Sequence, residues 1–81
     1  MIVKVNLFAA AKETLGASDV ELTLEDAATL RDLKQTLVEL HPTMAELVEK
    51  SAFSVDKEYA TDQRALYHGA EVGLIPPVSG G

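Results

Sequence analysis

Cysteine is absent from the 81-residue chain. That excludes disulfides, thiolate metal sites and a thiol nucleophile together, and it leaves the redox compartment open. Basic residues are scarce: seven Lys and Arg stand against thirteen Asp and Glu, for a formal net charge of −6. Such a surface repels phosphate backbones and anionic headgroups, so nucleic acid and membranes are poor partners. A protein with a basic face is the natural complement. Long apolar runs are missing too, since no stretch approaches the roughly 18 residues of a membrane span. The opening "MIVKVNLF" is interrupted by Lys4 and Asn6, and alternation describes it better than a signal peptide does. The expectation is a soluble, cytoplasmic protein.

What is present suits one small domain. The hydrophobic fraction of 47% argues for a compact globule. A chain of this size buries only about 60% of the surface its unfolded form exposes. Too little chain remains for a core plus a capacious cleft, which favours a carrier, adaptor or subunit over a self-contained enzyme.

Hydrophobic periodicity organises the chain. "IVKVNLF" alternates, with Val3, Val5 and Leu7 on one face and Ile2, Lys4, Asn6 and Phe8 on the other. "AAAKETLG" is a short run of helix formers closed by Gly16, and "DVELTLE" alternates again with Val20, Leu22 and Leu24 inward. The first two strands are expected to pair antiparallel. "TLRDLKQTLVEL" changes to helical spacing, with Leu30, Leu33, Leu37 and Leu40 as an apolar stripe and Thr29 with Asp32 as a capping box. His41-Pro42 ends that helix, and Thr43 with Glu46 repeats the start signal for a short helical turn. Phe53 and Val55 mark a strand that bends through Asp56-Lys57 to a short return near Tyr59, and a loop-like stretch follows, with Gly69 as a turn. The last strand, "EVGLI", puts Val72 and Leu74 inward and Glu71, Gly73 and Ile75 outward. The expected fold is α+β, a ubiquitin-like β-grasp: a mixed sheet of four to five strands with one main helix across one face. Its first and last strands should pair centrally. Residues 1–75 would form the domain and 76–81 an extended tail.

Conventional chemistry finds little support. His41 and His68 have no second ligand at metal-like spacing and read as surface histidines. Ser51, Ser54 and Ser79 lack a nucleophile elbow, and the glycines do not form a phosphate-cradling loop. Two apolar residues fall on the wrong parity, Phe8 and Ile75, and paired strands would bring them together as one exposed patch. The ending "IPPVSGG" offers the remaining group. Either it is an inert end, or the carboxylate of Gly81 is the functional atom set. Pro76-Pro77 holds the exit extended, and Gly80-Gly81 lack a Cβ and can thread a narrow channel. From Pro76 onward the tail reaches about 20 Å at most.

"EVGLIPPVSGG", with "LFAAAKETLG" in support, resembles the MoaD-like family, the small sulfur-carrier subunits of molybdopterin synthase, and the likeness spans the chain. Asp56-Lys57 and His68-Gly69-Ala70 depart from the family's usual turns. The resemblance implies that an ATP-using, E1-like enzyme adenylates Gly81 and that a persulfide donor converts it to a thiocarboxylate. Sulfur then passes to cyclic pyranopterin monophosphate inside the large subunit, which would hold the catalytic side chains in a heterotetramer. No cofactor or metal is expected on this chain. Pro76, Pro77, Val78, Ser79 and Gly80 would thread the large subunit, and Phe8, Ile75 and Val78 would contact it. The alternatives are a sulfur carrier for thiamine thiazole formation, a ubiquitin-like protein modifier, or an interaction domain with an inert tail.

Overall fold

A computed structural model describes residues 1–78. Its elements run β1 (Ile2–Leu7), α1 (Ala10–Leu15), β2 (Asp19–Thr23), α2 (Leu30–Leu40), a 3₁₀ turn (Pro42–Met44), α3 (Ala45–Lys50), β3 (Ala52–Val55), β4 (Glu58–Tyr59) and β5 (Glu71–Ile75). The strands form one mixed sheet in the order β2-β1-β5-β3-β4. Its central pair, β1 and β5, is parallel, and the other neighbours are antiparallel. The expected central pairing of first and last strands is therefore present.

Alternation decides which face is buried. Val3, Val5 and Leu7 of β1, Val72 and Leu74 of β5, and Phe53 and Val55 of β3 turn to one side and are sealed there. Leu30, Leu33 and Leu37 of α2 complete the same core at 0% exposure. Leu40 is 60% exposed, contrary to its place in the expected stripe. It lies only about 20° around the helix from the buried Leu33, so it keeps the face of the stripe. It is the last residue of α2, and its exposure belongs to the helix end. Met44, from the following 3₁₀ turn, is the fully buried residue in that neighbourhood of the sequence.

The capping box on α2 forms as expected, with the Thr29 N–H donating to Asp32 Oδ2 at 2.9 Å. The second expected cap does not form. Pro42 starts a 3₁₀ turn that takes in Thr43, α3 begins only at Ala45, and no side chain caps it. Glu46 instead accepts from Lys50 one helical turn on, at 2.7 Å.

The loop between β4 and β5 has a structural task that its composition does not display. Its carbonyls at Arg64 and Asp62 accept the free N–H groups of Leu30 and Arg31, at 2.9 and 3.0 Å. These are donors that the first turn of α2 cannot satisfy internally. Lys34 of α2 also reaches back to Asp62 at 2.6 Å, with its ammonium 4.8 Å above the Phe53 ring. Among the described residues no helix is long and apolar enough to cross a membrane.

Candidate functional site

Parallel pairing of β1 and β5 means that both strands leave the sheet at the same end. Their register pairs Leu7 with Leu74, so the next positions along are Phe8 and Ile75. On the other side of β5, Ala52 pairs with Ile75. Three apolar residues thus come together at one end of the outer sheet face, where the chain continues as Pro76-Pro77-Val78. Proline has no N–H to donate to a ladder, and β5 stops at Ile75. Pro76 is half-buried, Pro77 is exposed, and Val78 is 94% exposed. The expected grouping of Phe8 with Ile75 is therefore observed. The candidates Ser79, Gly80 and Gly81 lie outside the described residues.

Phe8 is 50% exposed, and its ring lies over Gly73. Gly73 faces outward by parity yet is buried, because Phe8 and Ser54 cover it. Sequence reasoning assigned Gly73 and Ser54 no part in this surface. A glycine inside an otherwise β-forming strand was the available signal, since it often marks a close approach.

The opposite end of the outer face is charged. Lys4 pairs across the ladders with Glu21 of β2 and Glu71 of β5. Beyond it, Asp56 and Lys57 form a tight turn with φ of 49° and 71°, positive at both central positions. The Asp56 carboxylate accepts from the Tyr67 hydroxyl and from the Glu71 N–H, the latter at 3.1 Å. The Tyr67 bond, and then the Glu71 bond, hold the Asp56 carboxyl below the usual carboxylate range. The same contact with Asp56 raises the Tyr67 phenol above its ordinary value. His68 is exposed and its Nδ1 accepts from the Ile2 N–H at 3.1 Å, while His41 ends α2. His68 thus lies at the start of β1, away from the apolar end. Among the described residues no group of three His, Asp or Glu side chains is placed to hold a metal ion. The hollow at the start of β1 is lined by Glu25, Asp26, Asp32 and Glu39, with no basic side chain, and lies away from the tail.

The end of the outer face thus joins a half-exposed aromatic to the exposed Pro77 and Val78, while the Lys4, Asp56, Tyr67 and Glu71 side chains gather at the other end. Residues 5–81 match the model of the ThiS family. The chain belongs to the ThiS family. Among its relatives, the molybdopterin synthase sulfur carrier subunit of Chlamydomonas reinhardtii is 35% identical over 83 residues, covering 100% of both chains. The protein of the same name from Arabidopsis thaliana is 34% identical over 79 residues, covering 98% of this chain and 82% of that one. In structure, this ThiS-family chain resembles SAMP1, a small archaeal modifier protein of Haloferax volcanii, with a TM-score of 0.90 at 28% identity over 100% of both chains. The mixed five-stranded sheet crossed by α2 is accordingly the ubiquitin-like β-grasp that the alternation predicts.

Proposed function

We propose that this chain is the sulfur-carrier subunit of molybdopterin synthase and that its working group is the Gly81 carboxylate. The observation that carries the reading is the joint exit of β1 and β5, which sets Phe8 and Ile75 at the root of the extended Pro76-Pro77-Val78 segment. The likeness to carrier subunits along the whole chain supports it.

A bare carboxylate is a poor acyl electrophile. An ATP-using, E1-like enzyme therefore joins the Gly81 oxygen to AMP and releases pyrophosphate. The terminal sulfur of a persulfide attacks the acyl carbon and expels AMP, giving an acyl disulfide. A thiol of the donor then cleaves the S–S bond, and the thiocarboxylate leaves as an anion. Inside the large subunit its sulfur attacks a side-chain carbon of a cyclic pyranopterin monophosphate as an oxygen substituent leaves. Water cleaves the acyl–sulfur bond of the resulting thioester to return the carboxylate, and a second loaded chain repeats the exchange to complete the dithiolene. This chain contributes no catalytic side chain to those steps. It positions the terminus and lends apolar contact through Phe8, Ile75 and Val78, while Pro76, Pro77, Ser79 and Gly80 form the narrow approach.

Deleting Gly81 tests this directly. Sulfur transfer to the pterin is expected to fall to background while the thermal unfolding midpoint stays unchanged. Retained transfer would exclude Gly81 as the carrier atom. The likeness to SAMP1 favours a second reading, in which Gly81 forms an isopeptide with lysines of other proteins. Conjugates of higher mass distinguish it.

A further inference from the structure

Gly73 occupies the middle of β5, which has neighbours on both sides, β1 and β3. Glycine there forgoes cross-strand packing and loses more backbone entropy than any other residue. Its φ is not in the left-handed region, so the backbone makes no demand for glycine. The demand comes from above the sheet. A Cβ at this position would stand 2.6 Å from Ser54 Oγ and 3.6 Å from Cε2 of Phe8. The first contact is relieved when the serine hydroxyl rotates. The second is ordinary contact distance for a methyl group, but any longer side chain would reach the ring. An aromatic laid over a strand glycine shields the exposed backbone and is itself held flat.

We propose that Gly73 is a positioning residue: it is the seat on which the Phe8 ring lies against β5, and it presents that ring, already ordered, to the partner that closes on this end of the sheet. The proposal rests on the reading of the Phe8–Ile75 end as the large-subunit surface. Phe8 is half-exposed, so one side of the ring is spent on the sheet and the other is free. A rigid aromatic with two side-chain torsions loses little entropy when a partner covers it, and such residues dominate interface energetics. Holding it flat in the free protein reduces the ordering cost of association further. Ser54, beside the same backbone, bounds the seat on the β3 side.

The test is a double-mutant cycle on affinity for the synthase large subunit, using Gly73→Val, Phe8→Ala and the two combined, with calorimetry as the readout. Each single substitution should weaken binding about tenfold or more, and the double should bind no more weakly than Phe8→Ala alone. Gly73→Ala should stay near wild type, because only side chains beyond Cβ lift the ring. If Gly73→Val costs as much in the Phe8→Ala background as in the wild type, Gly73 does not act through the ring and the proposal fails. If Phe8→Ala weakens binding but Gly73→Val does not, the proposal alone fails and the partner surface stands. Unchanged affinity for Phe8→Ala would overturn the surface reading and the proposal with it. Proton NMR of the unaltered chain reads the seat without any Gly73 variant. The Gly73 Hα should be shifted upfield by the ring and return to ordinary strand values in Phe8→Leu, and an unshifted Hα in the wild type would remove the seat.

Discussion

On the inner face of the sheet β1, β5 and β3 present only apolar side chains, and Val3, Val5, Val72 and Val55 are all at 0% exposure beneath α2. On the outer face the same three strands carry Lys4, Asn6, Glu71 and Ser54, with Phe8, Ala52 and Ile75 gathered at the end where the tail departs. One backbone therefore supports two surfaces with different physics. The inner surface derives its value from removal of apolar area from water, which requires close packing everywhere. The outer surface contributes little to holding the fold, so its residues are free to serve recognition. The comparison predicts that changes on the two faces separate cleanly into effects on stability and effects on binding.

The largest effect should come from the inner face. Leu33→Ala leaves a cavity between α2 and the sheet, and urea unfolding should register a loss of about 3 kcal/mol. In a domain this small that is a large share of the total. A loss below about 1 kcal/mol would mean that the core collapses around the gap and that the two faces differ less than their burial indicates.

Phe8→Asp is the outer-face counterpart. It should weaken binding to the large subunit at least about tenfold. The unfolding midpoint should drop only slightly, because half of the ring is already in water. Equal damage to stability and affinity would erase the distinction between the faces.

The charged end of the outer face should show the smallest effect, and one that depends on pH. The Tyr67 hydroxyl, and next the Glu71 N–H, depress the Asp56 carboxyl in the folded state. A depressed carboxyl adds stability that is present above its unfolded pKa of about 4 and is lost as pH falls through the lower folded value. Asp56→Asn should therefore unfold slightly earlier than the wild type at neutral pH, with the gap closing on acidification. A gap that is constant with pH would show that the hydrogen-bond geometry, and not the charge, carries the contribution.

The inner face was readable from sequence because alternation and helical spacing are local signals. Val3, Val5 and Leu7 announce a half-buried strand, and Leu30, Leu33 and Leu37 announce the helix that covers it. Leu40 was misplaced because helical spacing marks a face and not where along the axis the core ends, and Leu40 is the last residue of α2. The Thr43 cap failed for a neighbouring reason: Pro42 commits the chain to a 3₁₀ turn before α3 begins. The outer face was legible only where parity was broken, at Phe8 and Ile75. The cover over Gly73 and the capping of α2 by the carbonyls of Asp62 and Arg64 depend on strand register and on loop placement across distant positions. Neither leaves a local period. The tail was recognisable for the opposite reason, since its meaning lies in composition and in resemblance, not in contacts.

Intact mass spectrometry tests the central claim most directly, on the chain produced together with its ATP-using activating enzyme and a persulfide donor. The account predicts a species in which one sulfur replaces one oxygen, with fragmentation placing the change at Gly81, and the loss of that sulfur once the large subunit and its pterin substrate are added. An unmodified Gly81 under those conditions, or lysine conjugates in place of the sulfur-bearing terminus, would contradict it.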